Sequence, residues 1–113
     1  MATYKVDVDR RDHFRVNLAL PMAYWRETDH IQTKLRPMPV NISGSGMRFV
    51  ADRSMTVGET VSLRIGLPDR VVPAQAKVVR VEEQSQADVS VSMQFTAIGN
   101  QDQERLVDYI FAA

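Results

Sequence analysis

The stretch Thr60-Val61-Ser62-Leu63-Arg64-Ile65-Gly66-Leu67-Pro68-Asp69-Arg70 decides the architecture. Val61, Leu63, Ile65 and Leu67 share one parity, and Thr60, Ser62 and Arg64 take the other. That is the period of a strand with one buried face. Pro68-Asp69-Arg70 is a turn signal, and beyond it Val72, Ala74, Ala76 and Val78 resume the alternation. The apolar parity then flips to Val79 and Val81, which predicts a β-bulge, because one extra residue moves every later side chain to the opposite face.

The same period extends outward in both directions. Upstream, Val16, Leu18, Leu20, Met22 and Tyr24 alternate with Asn17, Ala19, Pro21 and Ala23, a first strand in which Pro21 asks for an edge or a bulge. Arg26 to Asp29 is a polar turn. Ile31, Thr33 and Leu35 then start a second strand whose end Pro37 and Pro39 disturb with a bend or a bulge, and Met47, Phe49 and Ala51 form a third after a glycine-rich corner. Downstream, the polar loop from Glu82 to Asp88 leads to Val89, Val91, Met93 and Phe95, the sixth strand. There the period changes. Asn100 with Gln103 resembles a helix N-cap pair, and Leu106, Val107, Ile110 and Phe111 fall on one helical face, so residues 100–112 form a short helix packed on the sheet. The chain is therefore mainly β: a six-stranded antiparallel barrel, closed or nearly closed because closure hides the edges of so many short strands, with a C-terminal α-helix. Residues 1–113 are expected to form a single domain, of which 1–9 are a flexible N-terminal tail. The methionines read as core filler, and Trp25 as a hydrophobe at one end of the barrel.

Composition narrows the function. The chain of 113 residues has no cysteine, which excludes a disulfide framework, a thiol nucleophile and a thiolate metal site. No apolar run approaches the length of a membrane span and the N-terminal residues lack the apolar core of a signal peptide, so no membrane insertion and a cytoplasmic location are expected. Lysine plus arginine total 14, as do aspartate plus glutamate, a balance that disfavours bulk DNA or RNA as a partner. Arg10, Arg11 and Arg15 nevertheless cluster with only Asp9 and Asp12 among them. Such a group suits a compact anion, or else is a solvated, self-neutralised charge run. His13 and His30 lack a paired nucleophile and a metal-binding spacing, and Ser43 is not in a G-x-S-x-G elbow. No catalytic residue, metal or cofactor is expected.

Two short motifs carry the functional reading. Arg11-Asp12-His13-Phe14-Arg15 places two arginines four apart just before the first strand. Asn41-Ile42-Ser43-Gly44-Ser45-Gly46 joins two strands, with two glycines free to take positive φ and let the backbone approach a ligand. In this order and on this strand pattern, the pair resembles the RxxxR and (D/N)xSxxG signatures of the PilZ domain family. The similarity continues through Val78-Val79-Arg80-Val81, the strand ending at Phe95 and the closing helix. Ser92-Met93-Gln94-Phe95 departs from it, with serine where the family has glycine.

The resemblance implies a receptor for cyclic di-GMP that signals to an unidentified effector protein, in control of motility, exopolysaccharide or biofilm, without catalysis. It implies a ligand site of Arg11, Arg15, Asn41, Ser43, Gly44 and Gly46. The ligand has two phosphates and two guanines. A guanidinium fork matches guanine O6 and N7 or a phosphate oxygen pair, which Arg11 and Arg15 offer. The Asn41 amide oxygen suits guanine N1–H and N2–H, the Ser43 hydroxyl a phosphate or base, and Gly46 a wall no Cβ may enter, with Gly44 as turn former. Arg80 stands where a planar side chain would stack on guanine, or else is a solvated strand arginine. Arg10, just before the first motif arginine, implies two ligand molecules per chain, bound as a stacked pair, and a change in the N-terminal segment on binding. The alternative is a degenerate barrel of the same family that binds a protein and no nucleotide.

Overall fold

The computed structural model describes residues 14–85 and 88–113. The tail 1–9 expected to be flexible, with Arg10, Arg11 and His13, lies outside them. The strands are β1 (Val16–Arg26), β2 (Arg36–Ile42), β3 (Gly46–Ala51), β4 (Thr60–Leu67), β5 (Arg70–Glu83) and β6 (Val89–Ile98), followed by the helix α1 (Asn100–Ala112). All strand pairs are antiparallel, in the ring order β1-β2-β3-β6-β5-β4 closed back onto β1. The mainly β, six-stranded barrel with a C-terminal helix is the architecture that alternation alone anticipates.

Closure depends on the length of β1. Its first half, Val16 to Met22, pairs with β2, and its second half, Met22 to Arg26, pairs with β4. The inward parity fills the barrel with Leu20, Met22, Tyr24, Val40, Ile42, Met47, Phe49, Leu63, Ile65, Val78 and Val91, all buried. Pro21 faces Pro37 in the ladder and Pro39 faces Ala19. Two opposed prolines have no N–H to exchange, so theirs is a non-hydrogen-bonded pair and the ladder bonds fall to the residues between. The prolines thus lie within β2 and do not end it, and its register with β1 runs past them without a bulge.

Three details correct the sequence-based expectations. Ile31, Thr33 and Leu35 alternate as a strand would, but β2 begins only at Arg36 and Ile31 is 69% exposed. Beyond Met22, β1 has exchanged β2 for β4, so the chain before Arg36 has no strand to pair with. Second, β5 continues to Glu83, shortening the polar loop. Third, the cap of α1 is Gly99, with no side-chain cap bond, and it is the Gln103 backbone N–H that donates to the Gly99 carbonyl, at 2.8 Å.

The bulge foreseen from the parity flip is present: Val78 pairs with Met93 and Arg80 with Ser92, leaving Val79 between them. A second irregularity was not foreseen. Gln75 pairs with Ala97 and Ala76 with Phe95, so Thr96 is an extra residue in β6. The change of parity from Phe95 to Ile98, both packed on the core, is its trace in the sequence.

Leu106, Val107 and Ile110 anchor α1. Phe111, expected beside them, lies about a quarter-turn from the centre of that stripe and is half exposed, its ring edge-on to Phe14 at 5.2 Å. Arg70 bonds Asp102 at 3.1 Å and Arg105 bonds Asp69, tying the helix to the β4–β5 turn.

A second polar group fastens the β1–β2 turn to the chain after β3. Arg26 and Arg53 each reach Asp29 at 3.0 Å, the Tyr24 hydroxyl donates to Asp52 at 2.7 Å, and the Arg53 guanidinium lies 5.0 Å from the centre of the Tyr24 ring. Hydrogen bonds from Arg26 hold the Asp29 carboxyl well below the usual carboxylate range. The Tyr24 hydroxyl similarly lowers Asp52, while burial raises Tyr24.

Candidate functional site

The corner between β2 and β3 is built around a buried hydroxyl. Ser43 is fully buried, and it is the buried polar residue among those described. Its backbone N–H donates to the Gly46 carbonyl at 2.9 Å, and its Oγ accepts from the Ser45 N–H at 3.2 Å and lies 3.1 Å from the Ser45 Oγ. Two longer-range bonds fix the corner against the barrel: Phe95 N–H to the Ser45 carbonyl, 2.9 Å, and Gln103 Nε2 to the Gly44 carbonyl, 2.8 Å.

Neither Gly44 nor Gly46 takes a positive φ; among the described residues that conformation belongs to Gly58, at φ 98°. What Gly46 supplies is close approach. A Cβ there would lie 2.1 Å from the Met93 carbonyl oxygen and 3.1 Å from the Gln94 Cα, so the tight neighbour is the backbone of β6.

Arg15 joins the two motifs. Its Nε donates to Asn41 Oδ1 at 2.6 Å, while its terminal nitrogens reach Ser43 Oγ and the Asn41 carbonyl at 3.4 Å each. Asn41 Nδ2 in turn donates to Asn17 Oδ1 at 2.9 Å. Arg15, Asn41, Ser43, Gly44 and Gly46 therefore come together at one place. Arg10 and Arg11 lie outside the described residues.

From Asn41 a line of residues crosses the outer wall. Asn17 pairs with Asn41, Asn41 with Arg48, Arg48 with Ser92, and Ser92 with Arg80. Arg80 belongs to this line, exposed, with Glu82 at 3.2 Å. Asn17 and Arg48 escaped the sequence reading. Their trace is parity: each holds an outward position beside apolar inward neighbours. A groove of about 480 Å³ runs beside the line, lined by Asn17, Pro39, Asn41, Arg48, Val50 and Ser90 among others. A larger one, about 790 Å³, lies between Trp25, Ile31, Pro73 and Ile98 and holds no motif residue.

The structure is thus a small closed barrel with an arginine drawn over a buried serine corner and a polar line leading away across its wall. A PilZ domain profile matches residues 9–112, and the chain belongs to the PilZ domain family, a family of non-enzymatic cyclic di-GMP receptor and adaptor domains. Solved structures of the same fold include the Bacillus subtilis inhibitor of motility MotI/DgrA, at 23% identity and a TM-score of 0.69, covering 87% of this chain and 48% of that one. This chain thus spans about half the length of that protein. A pathogenic protein from Xanthomonas campestris, a tetrameric PilZ domain self-assembled through a helical bundle, matches at 16% identity and a TM-score of 0.70, covering 89% of this chain and 86% of that one. Comparison with curated proteins gives no match. No helix among the described residues is long and apolar enough to cross a membrane.

Proposed function

We propose that this chain is a cyclic di-GMP receptor that holds its ligand with Arg11, Arg15 and the Asn41–Gly46 corner and relays occupancy to an effector protein. The observation that carries the reading is Arg15, whose guanidinium rests on both Asn41 and Ser43. One of its contacts is short and two lie at the outer limit of a hydrogen bond. The short one positions the fork, and the long ones are exchanged for ligand phosphate or guanine oxygens. In this role Asn41 aims Arg15 as well as accepting from a base, and Ser43 shapes the corner beneath them. Arg10 serves a second, stacked ligand molecule, and binding shifts the segment carrying Arg11 and Arg15 against the barrel. Control of motility, exopolysaccharide or biofilm is the class of output that fits such a receptor.

Calorimetric titration with cyclic di-GMP tests this. Loss of a desolvated charge-assisted partner costs about 2–5 kcal/mol, so Arg11→Ala and Arg15→Ala should each bind at least about thirtyfold more weakly with an unchanged melting temperature. The wild-type ratio should be about two ligands per chain, falling toward one in Arg10→Ala. Wild-type affinity in either motif mutant removes the assignment.

A further inference from the structure

The Arg48 guanidinium has no hydrogen-bond or ion-pair partner among the described residues, unlike that of Arg80, which is held by Glu82, and those of Arg26, Arg53 and Arg70, which are held by aspartates. It is exposed on β3, next to Asn41 in the β2–β3 register and opposite Ser92 in the β3–β6 register. The groove beside it carries apolar side chains between polar ones. Pro39 and the half-exposed Val50 line the same groove, with Ser90 at its far side.

An unneutralised guanidinium above an apolar shelf is an arrangement with a specific complement. A purine presents a flat face to Pro39 and Val50, and guanine O6 and N7 present two adjacent acceptors to the planar fork. A phosphate alone needs no shelf. A groove of about 480 Å³ has ample room for one base. Because the groove begins at Asn41, which Arg15 already touches, a dinucleotide held by Arg15 can lay one of its bases there without leaving the site.

We infer that the groove between Asn41 and Val50 is a guanine seat and that Arg48 is its specificity-determining residue, reading the O6/N7 edge of one base of the bound cyclic dinucleotide. This rests on the function proposed above and extends it to a part of the wall outside both motifs.

The test compares Arg48→Ala, Arg48→Lys and Arg15→Ala in titrations with cyclic di-GMP, each checked by thermal melting. Arg48→Ala should bind tenfold or more weakly at an unchanged melting temperature, and Arg48→Lys should be no better, since an ammonium keeps the charge and loses the fork. Val50→Glu, at an exposed position, should weaken binding by setting a carboxylate on the shelf. Full rescue by lysine would overturn the guanine seat in favour of a phosphate contact, and wild-type affinity in Arg48→Ala would remove Arg48 from the site. If Arg15→Ala loses binding while Arg48→Ala keeps it, the receptor reading stands and this inference falls; a wild-type protein that binds no cyclic di-GMP sinks both.

Discussion

Gly46 shows how a motif position can carry a packing constraint that the motif itself does not announce. A motif glycine suggests either a left-handed turn or a wall kept flat for a ligand, yet its φ is not positive and its missing Cβ makes room for the Met93 carbonyl. Gly46→Ala should accordingly damage the fold, costing about 2 kcal/mol and lowering the melting temperature by roughly 10 °C. Thermal unfolding followed by circular dichroism checks this, and a variant that melts like wild type would show that β3 and β6 can part without cost. Ser43 was visible in the sequence as a polar residue in a corner, but its burial was not, because burial depends on Phe95 and Gln103, which reach the corner from distant parts of the chain. Arg48 was overlooked since an outward strand arginine is unremarkable until its cross-strand neighbours are known.

At the scale of elements, alternation identified which face is buried in every strand but β2, and the flip at Val79 located a bulge. It says nothing about whether a neighbouring strand is present. Ile31, Thr33 and Leu35 have the right period and no partner, for β1 has already turned to β4. The chain just before them is instead held by Asp29, on which Arg26 and Arg53 converge. Asp29 is depressed in the folded protein, so its contribution is fully present above the unfolded carboxylate pKa of about 4 and is lost as pH falls from there through the lower folded value. Asp52, also depressed, acts in the same direction. Asp29→Asn should lower the melting temperature at neutral pH by about 5 °C, corresponding to about 1 kcal/mol for a partly exposed ion pair. Its melting temperature should also fall less than that of the wild type between pH 4 and pH 2, a window set by the depressed Asp29 carboxyl. Parallel curves for the two proteins would count against the Asp29 clamp.

For the whole molecule, α1 is the part that touches both motifs. Near its start Gln103 holds Gly44, and near its end Phe111 meets Phe14, the residue before Arg15. The helix was legible from its apolar spacing, but neither contact was, because each joins residues far apart in the chain. An aromatic pair of this kind contributes about 1 kcal/mol, so Phe111→Ala should weaken cyclic di-GMP binding about fivefold through looser placement of Arg15. Because both rings are partly exposed, the melting temperature should move little. Unaltered affinity would separate the helix from the site.

The ring order has a consequence for how the protein is made. β6 closes the gap between β3 and β5, and it contributes Ser92, which joins Arg48 to Arg80 in the polar line. A ribosome delivers Asn17, Asn41 and Arg48 well before that strand, and until it emerges β3 and β5 each present an unpaired edge. Until β6 emerges, the nascent barrel is therefore open and its polar line incomplete. A message cut short before β6 yields no smaller barrel, only an open sheet exposed to proteases and aggregation.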